Sequence, residues 1–139
     1  MTLHSPSLIT VQIHGFRSHD KRLEFIASVG IKKHFNGSIS NSLTEILNAN
    51  IRATKSPKIG RSCNRAEVGW RKKLCATWNP QGRWSNGVRA VGGNATACTA
   101  FATENTNRFI HLEISTNKTR TITPQHVTQT LIQLFKTKV

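Results

Sequence analysis

Two residues apart in the stretch RFIHLEIS, His111 and Glu113 are titratable side chains at a spacing that suits proton transfer. A strand sends alternate side chains to opposite faces, so this pair projects from one face of one strand. An imidazole beside a carboxyl can take and return a proton, and Arg108 or Arg120 would supply positive charge near a phosphate. Together these are what metal-independent RNA cleavage needs: a general base, a general acid and a cation. A polar pair on the solvent side of a strand has the same spacing, so the pattern alone does not decide between chemistry and solvation. His14, His19, His34 and His126 have no partner at informative spacing and read as surface or structural histidines.

Other chemistries fare worse. Two-metal phosphodiester cleavage needs several converging carboxylates, whereas the chain has one aspartate, Asp20, and five scattered glutamates. The three cysteines, Cys63, Cys75 and Cys98, have no ligand-like spacing, and a zinc site with His34 would depend on the fold assembling it. No metal or cofactor is therefore expected. Gly92 and Gly93 lack the Lys and Ser/Thr of a phosphate-binding loop and suit a hairpin turn better. An odd number of widely spaced cysteines argues against a disulfide framework and leads to the expectation of a reducing, intracellular setting. No apolar run approaches the roughly 18 residues of a spanning helix, and the first residues do not have the pattern of a signal peptide.

Charge is the strongest compositional signal. Among 139 residues, 20 are Lys or Arg and 6 are Asp or Glu, a formal net charge of +14. Such an excess resists compaction and attracts polyanions, so DNA or RNA is the expected partner class, with an acidic protein as an alternative. Between Arg52 and Arg89 lie ten basic residues and one acid, Glu67. Candidate nucleic-acid contacts are Arg52, Lys55, Lys58, Arg61, Arg65, Arg71, Lys73, Arg83, Trp84 and Arg89.

Periodicity supplies the elements that would position these residues. Ile9, Val11 and Ile13 alternate with polar residues, as do Leu23, Phe25, Ala27, Val29 and Ile31 beyond a polar break at Arg17 to Asp20, which predicts an antiparallel hairpin. Leu43, Ile46, Leu47 and Ile51 fall at helical spacing, with Ser42 and Glu45 as a capping box, so a helix is expected from Leu43 to Ala53. Thr54 to Glu67 reads as an exposed basic loop. The turn-rich stretches NPQG, GGN and ENTN then divide the chain into strands at Trp70 to Trp78, Trp84 to Val91, Ala95 to Thr103 and Arg108 to Ser115, an antiparallel meander. Thr123 and Pro124 open a last helix, with Val127, Leu131, Leu134 and Phe135 as its apolar stripe.

Within that meander, a five-residue loop from Asn79 to Arg83 would pair Trp78 with Trp84 and Lys73 with Arg89, which separates an apolar face from a basic one. That register gives a solvent face bearing Arg71, Lys73 and Arg89, rimmed by Arg83, with the tryptophans mainly in the core and Trp84 the most exposed of them. A helix followed by an antiparallel meander is similar to the layout of small microbial and toxin ribonucleases, though without their sequence signatures. The layout also looks like that of double-stranded-RNA-binding domains, but the early hairpin departs from it and the last helix has no lysine cluster at its start. The sequence thus points to a single α+β domain that binds nucleic acid through phosphates, with ribonuclease chemistry at His111 and Glu113 as the alternative.

Overall fold

The structure, a computed structural model, describes residues 8–17, 22–31, 39–52, 59–63, 74–77, 79–88, 105–117 and 122–138. They form an α+β arrangement: strands β1 (Thr10–Phe16) and β2 (Leu23–Ser28), helix α1 (Ile39–Arg52), strand β3 (Ile59–Ser62), the short helix α2 (Pro80–Ser85), strand β4 (Phe109–Ser115) and helix α3 (Pro124–Lys138). The four strands make one sheet in the order β1-β4-β2-β3. β1 runs parallel to β4, β4 antiparallel to β2, and β2 parallel to β3.

This order replaces the expected hairpin of β1 with β2, because β4 lies between them. Alternation assigns each side chain to a face but leaves the neighbouring strand open. Burial settles the choice: β2 is buried at all six positions and β4 at five of seven, so they take the centre. β1 exposes Ile13, His14 and Gly15 and lies at the edge.

One sheet face carries Val11, Phe25, Ala27, Ile110, Leu112 and Ile114, and it packs on α1 and α3. α1 turns Ile39, Leu43, Leu47 and Ile51 inward, a stripe at i, i+4 spacing that continues across two further turns. The helix starts earlier than the Ser42 capping box implies. Asn107 Oδ1 accepts the Ile39 N–H at 3.1 Å, so a side chain distant in sequence satisfies a donor that a local cap would otherwise take. α3 begins where expected. Thr123 Oγ1 accepts the His126 N–H and His126 Nδ1 accepts the Thr123 N–H, a reciprocal cap in which histidine takes the place usually held by Glu or Gln.

The expected basic loop contains β3, whose Gly60 exchanges two hydrogen bonds with the Asn48 side chain of α1. A Cβ at Gly60 would fall within the ring of Phe25, so this crossing requires glycine.

The meander is corrected more deeply. Asn79 to Ser85 is not a hairpin loop leading into a strand: Asn79 Oδ1 accepts the Gly82 N–H at 3.0 Å, Pro80 occupies the first turn, and Trp84 lies on α2. Asn-Pro thus starts a helix by the same chemistry as Thr123-Pro124. Trp84 is therefore helical and not in the expected strand, and Trp78 lies outside the described residues. The strand proposed for Ala95 to Thr103 lies outside the described residues, whereas Arg108 to Ser115 is strand β4 as expected, though parallel to one neighbour.

Cys63 and Cys75 form a disulfide, with Cα atoms 5.7 Å apart. This corrects the expectation drawn from the cysteine count, since an odd number precludes complete pairing but not a single bridge. Among the described residues, no helix is long and apolar enough to cross a membrane.

Candidate functional site

The second face of the sheet mixes polar side chains with the buried apolar Phe16, Ile26 and Phe109. It carries Gln12 and His14 from β1, His111, Glu113 and Ser115 from β4, Ser28 from β2 and Arg61 from β3, as the strand register dictates. His111 has Gln12 opposite it on one side and Ser28 on the other, while Glu113 has His14 and Ile26. Arg61 is opposite Ile26, so His14, Glu113, Ile26 and Arg61 form one row across four strands. Three inter-strand steps of about 4.8 Å separate the ends of that row.

His111 Nε2 and Glu113 Oε1 are 2.9 Å apart, and the two side chains are only 6% and 12% exposed. With Glu113 ionised its carboxyl can only accept, and Nε2 is then the donor in this contact. Nδ1 is buried and has no hydrogen-bond partner among the described residues. A buried polar atom in that state asks for a ligand, a water or a reacting proton. The His14 ring stacks on His111 with centroids 4.9 Å apart and planes inclined by 27°, and His14 itself is exposed. Phe109 lies against the His111 ring at 6.4 Å. Two imidazoles and a carboxyl therefore adjoin, one imidazole open to solvent and the other held by the carboxyl.

The segment around α2 crosses this face. Asn79 Nδ2 donates to Gln12 Oε1 at 2.7 Å, and Ser28 Oγ donates to the Cys75 carbonyl at 2.8 Å. Both cross-strand neighbours of His111 are thus bound to residues 75–79. Asn86 is buried; its Nδ2 donates to the Val29 carbonyl at 2.7 Å and its Oδ1 accepts the Thr106 N–H at 3.0 Å. Gly82 packs on Phe109, where an added Cβ would sit 2.7 Å from Cε1 of the ring.

The structure thus brings His111 and Glu113 together and leaves Arg108 exposed just before β4. Arg120 lies outside the described residues. His14 is the residue that sequence reasoning missed. Both strands contain an Ile-His dipeptide, in VQIHGF and RFIHLEIS, and that repetition was the available signal.

Of the expected nucleic-acid contacts, Arg52, Arg61, Arg83 and Trp84 fall among the described residues. Arg52 is exposed at the end of α1, and Arg61 is half-buried on the polar face. Trp84 is 52% exposed, while Trp70 and Trp78 lie outside the described residues. Arg83 is a correction: at 1% exposure it is not a rim residue, and its Nε donates to the Thr77 carbonyl at 3.0 Å. Lys55, Lys58, Arg65, Arg71, Lys73 and Arg89 lie outside the described residues.

Among the described residues, no group of three or more His, Cys, Asp or Glu side chains converges as a metal cage. A separate groove of about 290 Å³ opens on the helix side, lined by Ile13, Ile114, Ile122, Pro124, Val127 and Leu131 together with two threonines. It contains no titratable side chain, and the sheet separates it from His111. Comparison with protein-family models, with curated proteins and with solved structures finds no match for this chain.

Proposed function

We propose that this chain binds nucleic acid through its positive charge and cleaves RNA at the polar sheet face without a metal ion. The observation that carries the proposal is the His111–Glu113 hydrogen bond with His14 stacked against it. In such a reaction the ribose 2′-oxygen attacks the adjacent phosphorus while a base removes its proton. The P–O5′ bond breaks as an acid protonates the leaving oxygen, giving a 2′,3′-cyclic phosphate and a 5′-hydroxyl. His111, oriented by Glu113, and His14 supply the two proton-transfer groups, each worth about 100-fold to 10,000-fold in rate. Arg61, on the same face, supplies charge for the phosphate.

The net charge of +14 supports a polyanionic substrate. An acidic protein would meet the same charge and is distinguished by competition with RNA. The disulfide favours an oxidising compartment over the intracellular one that the cysteine count suggests.

The test is RNA incubated with purified protein in excess chelator. Cleavage to cyclic-phosphate ends that disappears in His111→Ala and in Glu113→Gln supports the assignment. Binding without cleavage reduces the reading to a nucleic-acid binder, and an absence of both overturns it.

A further inference from the structure

We propose that the Cys63–Cys75 disulfide is a redox clasp that holds residues 74–86 over His111, so that a dithiol opens this face while the sheet beneath stays folded. Cys63 follows β3 directly and its N–H donates to the Ala27 carbonyl at 2.8 Å, so one end of the cross-link is anchored in the sheet. Cys75 belongs to the covering segment, which has no strand pairing of its own among the described residues. Side chains bond it to its surroundings: Ser28 to the Cys75 carbonyl and Asn79 to Gln12, on either side of His111, and further along Asn86 to Val29 and Thr106.

Next to Cys75, Ala76 has φ of 55°, a left-handed conformation that an L-residue with a Cβ keeps only when its surroundings impose it. A segment with no strand pairing among the described residues, a strained residue and a covalent tie to the sheet is of the kind that opens ahead of the sheet when the tie is cut.

The chemistry balances as ordinary thiol–disulfide exchange. A dithiol thiolate attacks Cys63 Sγ, the partly exposed sulfur, and Cys75 leaves as a thiolate, since Cys75 is 6% exposed. The reagent's second thiol then closes on the mixed disulfide and releases Cys63. Two electrons pass to the protein, the reagent leaves as a cyclic disulfide, and its two protons end on the two cysteines.

The test uses the full chain with Cys98→Ser, which prevents shuffling, before and after treatment with dithiothreitol that is then removed anaerobically. Hydrogen exchange is read on peptides covering 74–88 and 109–115, and carbethoxylation by diethyl pyrocarbonate is read on His111 with exposed His14 as reference. Losing a cross-link over a loop this short shifts an opening equilibrium by roughly 100-fold. Exchange in 74–88 and modification of His111 should rise toward that extent, β4 should stay protected, and reoxidation should reverse both changes. Unchanged exchange in 74–88, unchanged His111 modification, or loss of protection in β4 together with 74–88 each overturns the clasp. None of these readouts depends on cleavage of RNA, so the clasp stands or falls separately from the proposed function.

Discussion

His14 stacks on His111 although the two come from the first and last strands, and they differ in exposure: His14 is open, while His111 is 5% exposed and bonded to Glu113. The two rings should therefore respond differently to removal. His14→Ala is expected to change stability by no more than about 0.5 kcal/mol and to lower RNA cleavage by roughly 100-fold. His111→Ala leaves a nearly buried carboxyl without its partner and should cost about 1 to 3 kcal/mol. Urea denaturation of both variants, read alongside cleavage rates, separates the roles.

Arg83 and the triplet Arg71, Lys73 and Arg89 should divide in the same way. Arg83 is buried and donates to the Thr77 carbonyl, so Arg83→Gln is expected to lose about 1.5 to 3 kcal/mol of stability. Its effect on the salt dependence of binding should be small. Replacing the other three by Gln should make the salt slope on duplex DNA shallower by about 0.9 per lost phosphate contact. Binding titrations at several salt concentrations check both.

Close packing of α2 on β4 makes a third expectation sharp. Gly82→Ala places a Cβ 2.7 Å from the Phe109 ring and should destabilise by about 1 to 3 kcal/mol. Gly87 has open space around it but φ of 90°, so Gly87→Ala should also destabilise, through backbone strain of about 1 kcal/mol rather than collision. Thermal melts of the two variants, with Gly82→Ser as an intermediate case, test the ring contact.

Trp84 is half exposed on α2, so Trp84→Ala should be milder for folding than the core loss of about 3 to 5 kcal/mol typical of a buried tryptophan. If the ring stacks on bases, the same change should weaken single-stranded RNA binding by about 1 to 3 kcal/mol. Fluorescence quenching on RNA addition, in the wild type and in the variant, gives the answer directly.

Helices α1 and α3 and the last strand are legible in the sequence because their signals are local. Thr123-Pro124 with Val127, Leu131 and Leu134 specifies α3, and FIHLEIS specifies β4 and the His111–Glu113 pair. What escaped reading depends on neighbours distant in the chain. Nothing near Phe16 or Leu23 announces that β4 will separate their strands, because a parallel crossover leaves no turn signature. His14 lacked a partner only while its neighbour strand was taken to be β2. Asn79-Pro80 has the chemistry of a helix start, but NPQG between two strand-like stretches reads equally as a turn. Cys63 and Cys75 were separated by counting, and the path of the chain brings them together.

The central position of β4 also sets the order in which the molecule can assemble. Among the described residues β1 pairs only with β4, a pairing that waits until residues 109–115 have been made and have returned to residues 10–16. Closing a contact that spans most of the chain costs entropy before it yields any packing, which places such folds toward the slower end of folding rates. The stacked histidines cannot form early on a partial sheet. During synthesis the His14–His111 stack is therefore absent until β4 is inserted, and a chain interrupted before Phe109 would keep most of its positive charge but lack His111 and Glu113.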